Sequence, residues 1–190
     1  MSAKIRTPRW NRLAAALGAA LVLSALFAHP AVAASAKVTT IVVVRHAEKA
    51  TDDPRDPSLS PAGQERAEEL AKVLEGAAVS AIYGTEYQRT RLTAEPTSRK
   101  FGLNVQTEPR TDLQPDAYAA ALVPKILKKN AGKVVLIVGH SDTVPAIVKA
   151  LTGRTVPEIP ETEFDRFYVV EVPKGGPPRL IAARYGRPKP

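Results

Sequence analysis

Residues 41–50 read IVVVRHAEKA. Four branched aliphatic side chains in succession leave no polar face on a strand, because alternate side chains point to opposite sides. Such a strand is covered on both faces, as in sheets flanked by helices. It ends by delivering Arg45 and His46 together. The pattern returns at residues 133–139, KVVLIVG, which lead directly into His140. Two doubly buried strands, each closing on a histidine, point to an α/β domain.

The intervening sequence supports that class. Ser60-Pro61 reads as an N-cap followed by proline at the first helical position. Ala67, Leu70, Ala71 and Leu74 then recur at helical spacing up to Gly76, expected to end the helix. Residues 79–83 read as a strand, and Thr85-Glu86-Tyr87-Gln88 as a capping box opening a second helix, which Pro96 should kink or break. A short strand is expected over 103–106 and a third helix over 116–129, its basic end complementing the helix dipole. Val144, Ile147, Val148 and Leu151 mark a fourth helix closed by Gly153, and residues 167–172 and 180–184 form a terminal strand pair. Alternating strands and helices predict a three-layer α/β/α sandwich around a mostly parallel central sheet.

The 190 residues suit one domain, here 37–187, preceded by a segment of another kind. Lys4, Arg6, Arg9 and Arg12 open the chain, residues 13–28 form an apolar run interrupted only by Ser24, and Ala31-Val32-Ala33 offers a small-residue cleavage site. That order is the pattern of a secretory signal peptide over 1–33, with cleavage as late as 36, and it predicts a periplasmic or secreted protein without a stable membrane anchor. Removing the four leader cations takes the formal charge from +8 to +4, so the basic balance is weak evidence for nucleic acid, and no nucleic-acid partner is expected. His29 lies in the leader, which leaves two histidines, His46 and His140. The absence of cysteine excludes disulfides, thiolate catalysis and cysteine zinc sites.

In parallel α/β sheets, ligands sit outside the carboxyl ends of the strands, so both histidines project into one crevice if their strands are neighbours. Arg45 adjoins the first histidine, Arg89 and Arg91 follow the strand ending near Tyr83, and a helix opens near Ser141. Guanidinium forks, imidazoles and a helix N-terminus at one rim select a tetrahedral oxyanion, which points to phosphate. Arg89 and Arg91 cannot both face one pocket from one helix, and Arg91 is expected on the solvated side.

These residues carry a family resemblance. Arg45-His46-Ala47 resembles the RHG signature of the histidine phosphatase (phosphoglycerate mutase-like) superfamily, with alanine in place of glycine. LSPAGQERAEEL at 59–70 is similar to that family's "L(T/S)xxGxxQA" helix entry, with Arg66-Ala67 for Gln-Ala. YGTEYQRTRLTAEP at 83–96 resembles "SxxxRxxxTAxP", which puts Arg89 on the phosphate-binding arginine, and Gly139-His140-Ser141-Asp142 occupies the second-histidine block. The resemblance implies a phosphoglycerate mutase-like fold and an enzyme of the phosphoric monoester hydrolase class. It needs no metal or other cofactor, and works through a phosphohistidine on His46. Arg45, Arg89, His140 and Ser141 would bind the phosphoryl group, and adjacent arginine would keep His46 neutral and nucleophilic. Asp142 ranks first as proton donor, with Asp116, Asp112 and Glu48 behind it; a chain with no dedicated acid would suit phosphoramidate or acyl phosphate substrates. The expected partner is a phosphorylated small molecule, an envelope sugar phosphate or a phosphoprotein.

Three rivals stand beside this reading. A serine hydrolase using Ser141 lacks the second glycine of its elbow, where Thr143 stands, and has no histidine after the serine. A metal site on His46 and His140 leaves the arginines unexplained. A non-catalytic periplasmic module that captures phosphorylated ligands would use the same pocket.

Overall fold

The computed structural model describes residues 37–111 and 113–187. The signal-peptide reading of 1–33 and the candidate acid Asp112 lie outside the described residues. Six strands and four helices alternate: β1 Val38–Arg45, α1 Pro61–Val73, β2 Val79–Gly84, α2 Gln88–Phe101, β3 Val105–Thr107, α3 Pro115–Lys129, β4 Val134–Gly139, α4 Thr143–Thr152, β5 Arg166–Pro173 and β6 Arg179–Arg184. They form one sheet in the order β3-β2-β4-β1-β5-β6. The first four strands in that order pair in parallel, whereas β5 runs antiparallel to both β1 and β6, making the sheet mixed at one edge.

Strand alternation builds both cores from the same residues. Ile41 and Val43 of β1 enter a cluster with Leu122 and Ile126 of α3 and Ile147 and Val148 of α4. Val42 and Val44 enter the opposite cluster with Leu70 and Leu74 near α1 and Ala94 of α2. All four β1 side chains are at most 3 % exposed, as a strand covered on both faces requires. The expected three-layer sandwich is the fold found.

Local expectations differ in three places. Helix α1 starts on the Ser60 cap, whose hydroxyl accepts from Gly63 N–H at 3.2 Å, but it ends at Val73 with Leu74 as C-cap, before Gly76. Helix α2 runs unbroken through Pro96, although a helix-interior proline costs about 3 kcal/mol. Thr93, Ala94 and Thr97 around that proline are fully buried, so tertiary packing overrides it. The capping box does not form. Tyr87 is the N-cap and gives no side-chain bond, and the Gln88 N–H is met by the Asp56 carboxylate at 3.0 Å from the 51–57 loop.

Strands β1 and β4 are neighbours and end in register, Arg45 opposite Gly139. The helix after β1 packs on one face of the sheet and the helix after β4 on the other. The chain therefore diverges at this point and leaves a crevice, where open α/β sheets place ligands. Among the described residues no helix is long and apolar enough to cross a membrane.

Candidate active site

His46 and His140 are the first residues beyond those two strand ends. The His46 N–H donates to the Gly139 carbonyl at 2.9 Å, continuing the ladder one step. The two rings meet edge to face with centroids 5.3 Å apart, both nearly fully buried. His46 Nδ1 lies 2.8 Å from the Ala47 carbonyl. A carbonyl only accepts, so Nδ1 carries the proton and Nε2 keeps the lone pair. Burial is the main force holding the imidazole neutral, pushing its pKa down to about 3, with Arg45, Arg89 and Lys49 adding to it. The expected contribution of Arg45 is present but secondary to burial.

Alanine at the usual glycine position fits without strain. Ala47 is absent from the positive-φ residues, and its methyl packs with Leu59 and Ala67 beneath the β1–α1 loop. Its N–H donates to Thr93 Oγ1 at 2.9 Å, and that hydroxyl donates to the Arg89 carbonyl at 2.7 Å. One threonine thus ties the loop after His46 to the helix that carries Arg89.

The two arginines come from different elements, Arg45 from the end of β1 and Arg89 from the first turn of α2. Arg45 is 1 % exposed; its Nη1 donates to the carbonyls of Pro160 (2.7 Å) and Glu163 (2.9 Å), and its Nη2 to Glu161 at 2.8 Å. Its guanidinium lies over the Phe164 ring at 4.3 Å. Arg89 stacks on Tyr87 at 4.1 Å and stands 3.7 Å from Asp56. In both arginines Nε is buried without a hydrogen-bond partner among the described residues. Buried donors left unpaired are costly, and an oxyanion seated between them would remove that cost. Arg91 is exposed and pairs with Glu95, as expected for surface charge.

The three candidate acids among the described residues are all engaged. Asp142 accepts from Arg110 through both oxygens, at 3.0 and 3.3 Å, so donating a proton would require it first to be protonated and to leave Arg110. Glu48 forms a buried bidentate pair with Arg66, and Asp116 pairs with Lys149 at 2.9 Å. Ser141 Oγ donates to Glu161 at 2.7 Å and lies beside the crevice. No three His, Cys, Asp or Glu side chains gather as metal ligands among the described residues.

Arg45, His46, Arg89 and His140 are thus brought together, and Ser141 joins them through Glu161. Sequence reasoning did not single out Glu161, Arg110 or Thr85 as site residues. Glu161 and Arg110 sit in aperiodic loops that only tertiary contact brings to the crevice. Thr85 had a usable signal, since it occupies the serine place of the "SxxxR" pattern, but the capping-box reading assigned its hydroxyl elsewhere. It lies 3.0 Å from His140 Nε2.

Residues 41–112 match the family model described as the histidine phosphatase superfamily, branch 1. Over those residues the chain is similar to the histidine phosphatase superfamily. The match covers the RHA, helix-entry and Arg89 blocks, and the fold adds His140 beside them. Solved structures of the same fold include the protein histidine phosphatase SixA complexed with tungstate, with 19 % identity, a TM-score of 0.62, and coverage of 76 % of this chain and 96 % of that one. The mycobacterial glucosyl-3-phosphoglycerate phosphatase gives 18 %, 0.61, 75 % and 97 % for the same quantities. Bacillus stearothermophilus YhfR gives 20 %, 0.61, 75 % and 95 %. At these identities the likeness is one of fold. No curated protein matches the sequence.

Proposed function

We propose that this protein is a member of the histidine phosphatase superfamily, a metal-independent phosphatase that hydrolyses phosphate monoesters through a phosphohistidine on His46. The observation that carries the reading is the state of His46, a neutral imidazole whose Nδ1 proton is held by the Ala47 carbonyl, leaving Nε2 free to attack. The relatives named above include phosphatases, which agrees with it. The phosphoryl group sits among Arg45, Arg89, His140 and Ser141, where the unpaired Nε donors of both arginines become hydrogen-bonded. Nε2 of His46 forms the bond to phosphorus, the ester oxygen leaves, and water then cleaves the P–N bond to release phosphate. Acceleration comes from positioning and from fixed positive charge around the transferring group. Asp142 delivers the leaving-group proton in this scheme after release from Arg110. The setting is the periplasm or the exterior, reached by cleavage of the leader, and the substrate is a phosphorylated small molecule, an envelope sugar phosphate or a phosphoprotein.

The deciding experiment is turnover of assorted phosphomonoesters by the purified protein, with radiolabelled phosphate trapped on the enzyme. Label that is acid-labile and base-stable, missing in His46→Ala, and turnover blocked by vanadate but not by EDTA are the expected results. Full turnover by His46→Ala would sink the reading. Retained ligand affinity without any turnover in the unsubstituted protein would establish the binding-module alternative.

A further inference from the structure

Each arginine of the crevice shares an aromatic neighbour with one of the histidines. Tyr87 packs against the Arg89 guanidinium, whose central carbon is 4.1 Å from the ring centroid. The same ring meets His140 edge to face, with centroids 5.4 Å apart. On the β1 side, Arg45 lies over Phe164 at 4.3 Å, and the His46 ring is tilted against Phe164 at 6.1 Å. Local structure frees Tyr87 for this contact. It is the N-cap of α2, in extended backbone at φ −75° and ψ 135°, yet makes no side-chain cap bond. The Asp56 carboxylate meets the Gln88 N–H instead.

The two arginines differ in what else holds them. Arg45 makes three hydrogen bonds of 2.7–2.9 Å, to the Pro160 and Glu163 carbonyls and to Glu161. Arg89 stands 3.7 Å from Asp56, beyond hydrogen-bond range, and its Nε has no partner among the described residues. Phe164 thus supports a guanidinium that is already fixed, whereas the Tyr87 ring is the main support of Arg89. An aromatic ring attracts a guanidinium through its face and uses none of its N–H donors. We infer that Tyr87 is a positioning residue whose ring holds the Arg89 guanidinium and the His140 ring in one fixed arrangement, leaving the guanidinium edges open to an oxyanion. The inference rests on the oxyanion-binding part of the function proposed above. A long side chain ordered before its ligand arrives loses less entropy when the ligand binds. Without the ring, the oxyanion itself must order Arg89, and affinity falls.

Calorimetric titration with inorganic phosphate tests this without requiring turnover. Tyr87→Leu should weaken phosphate binding about fivefold or more, and Tyr87→Phe, which keeps the ring, should restore it. Tyr87→Met, a second side chain without a ring, should show the same loss, so the test survives if either variant fails to fold. With an aryl phosphate, the ring-free variants should lower kcat as well as raise KM, because a misplaced guanidinium costs the transition state most. A merely structural role would lower the urea midpoint and leave the affinity of the folded protein unchanged. Wild-type phosphate affinity in the ring-free variants would overturn the inference, as would a Tyr87→Phe protein as weak as Tyr87→Leu. Phosphate binding by the unsubstituted protein with no turnover of any ester would remove the proposed function alone, and the inference would then be judged on affinity. No phosphate binding by the unsubstituted protein would overturn both.

Discussion

Arg45 and Glu161 meet at 2.8 Å, a guanidinium 1 % exposed held by a carboxylate whose side chain is 71 % exposed. The other oxygen of Glu161 accepts from Ser141 at 2.7 Å, so one carboxylate spans two groups expected to hold a phosphoryl group. Both contacts, the Ser141 bond first, hold the Glu161 carboxyl below the usual range. An ionised carboxylate there competes with any incoming oxyanion.

Glu161→Gln should therefore strengthen oxyanion binding. Arg45 keeps its bonds to the Pro160 and Glu163 carbonyls, so its position survives the change. For an exposed carboxylate the gain should be about 1 kcal/mol, near fivefold in affinity. Calorimetric titration with inorganic phosphate reads it, and a weaker complex would mean that Glu161 mainly positions Arg45.

The neutral histidines make stability depend on pH in a definite direction. Both native pKa values, about 3 for His46 and about 2 for His140, lie below the unfolded value of 6.5. The unfolded chain therefore binds more protons between these limits. Stability is fully present above pH 6.5 and falls on acidification towards pH 3. By pH 5 each histidine should cost about 2 kcal/mol. Urea melts of wild type and His140→Gln across pH 4–8 check this; parallel curves would refute it. The same burial predicts that no acid limb near pH 6.5 belongs to His46.

Arg66 binds the chain end to the site's first loop. Beyond its buried pair with Glu48, it donates to the carbonyls of Tyr185 (3.1 Å) and Arg187 (3.2 Å). Arg66→Met strands the Glu48 charge and should cost about 3–5 kcal/mol. Denaturant unfolding measures it, and a loss under 1 kcal/mol would show that Glu48 finds another partner.

Gly63 lets α1 approach the loop after His46. A Cβ there would stand 2.3 Å from the Glu48 carbonyl oxygen, which is backbone and cannot swing aside. Gly63→Ala should destabilise the protein by about 2 kcal/mol and, on the proposed mechanism, slow phosphoenzyme formation by moving the loop after His46. Wild-type values of both would refute the close packing.

Much of this was legible in the chain because it depends on local pattern. The unbroken apolar run of β1 demands cover on both faces, and its recurrence before His140 implies a second such strand. The Ser60-Pro61 start of α1 is local chemistry as well. Pro96 and Thr85 misled for one reason: each has a local preference that packing overrode. Buried neighbours keep α2 continuous through the proline, and Thr85 turns to His140 because Asp56, 32 residues away, takes the amide of Gln88.

By itself the sequence determined the layered architecture and the delivery of Arg45, His46 and His140 to strand ends, since periodicity and strand length express these directly. Only the tertiary structure decided that β1 and β4 are neighbours, that burial more than charge keeps His46 neutral, and that Glu161, Arg110 and Thr85 govern the crevice. Those facts depend on contacts between residues far apart in the chain, where desolvation and hydrogen-bond partners exist only once the strands have paired.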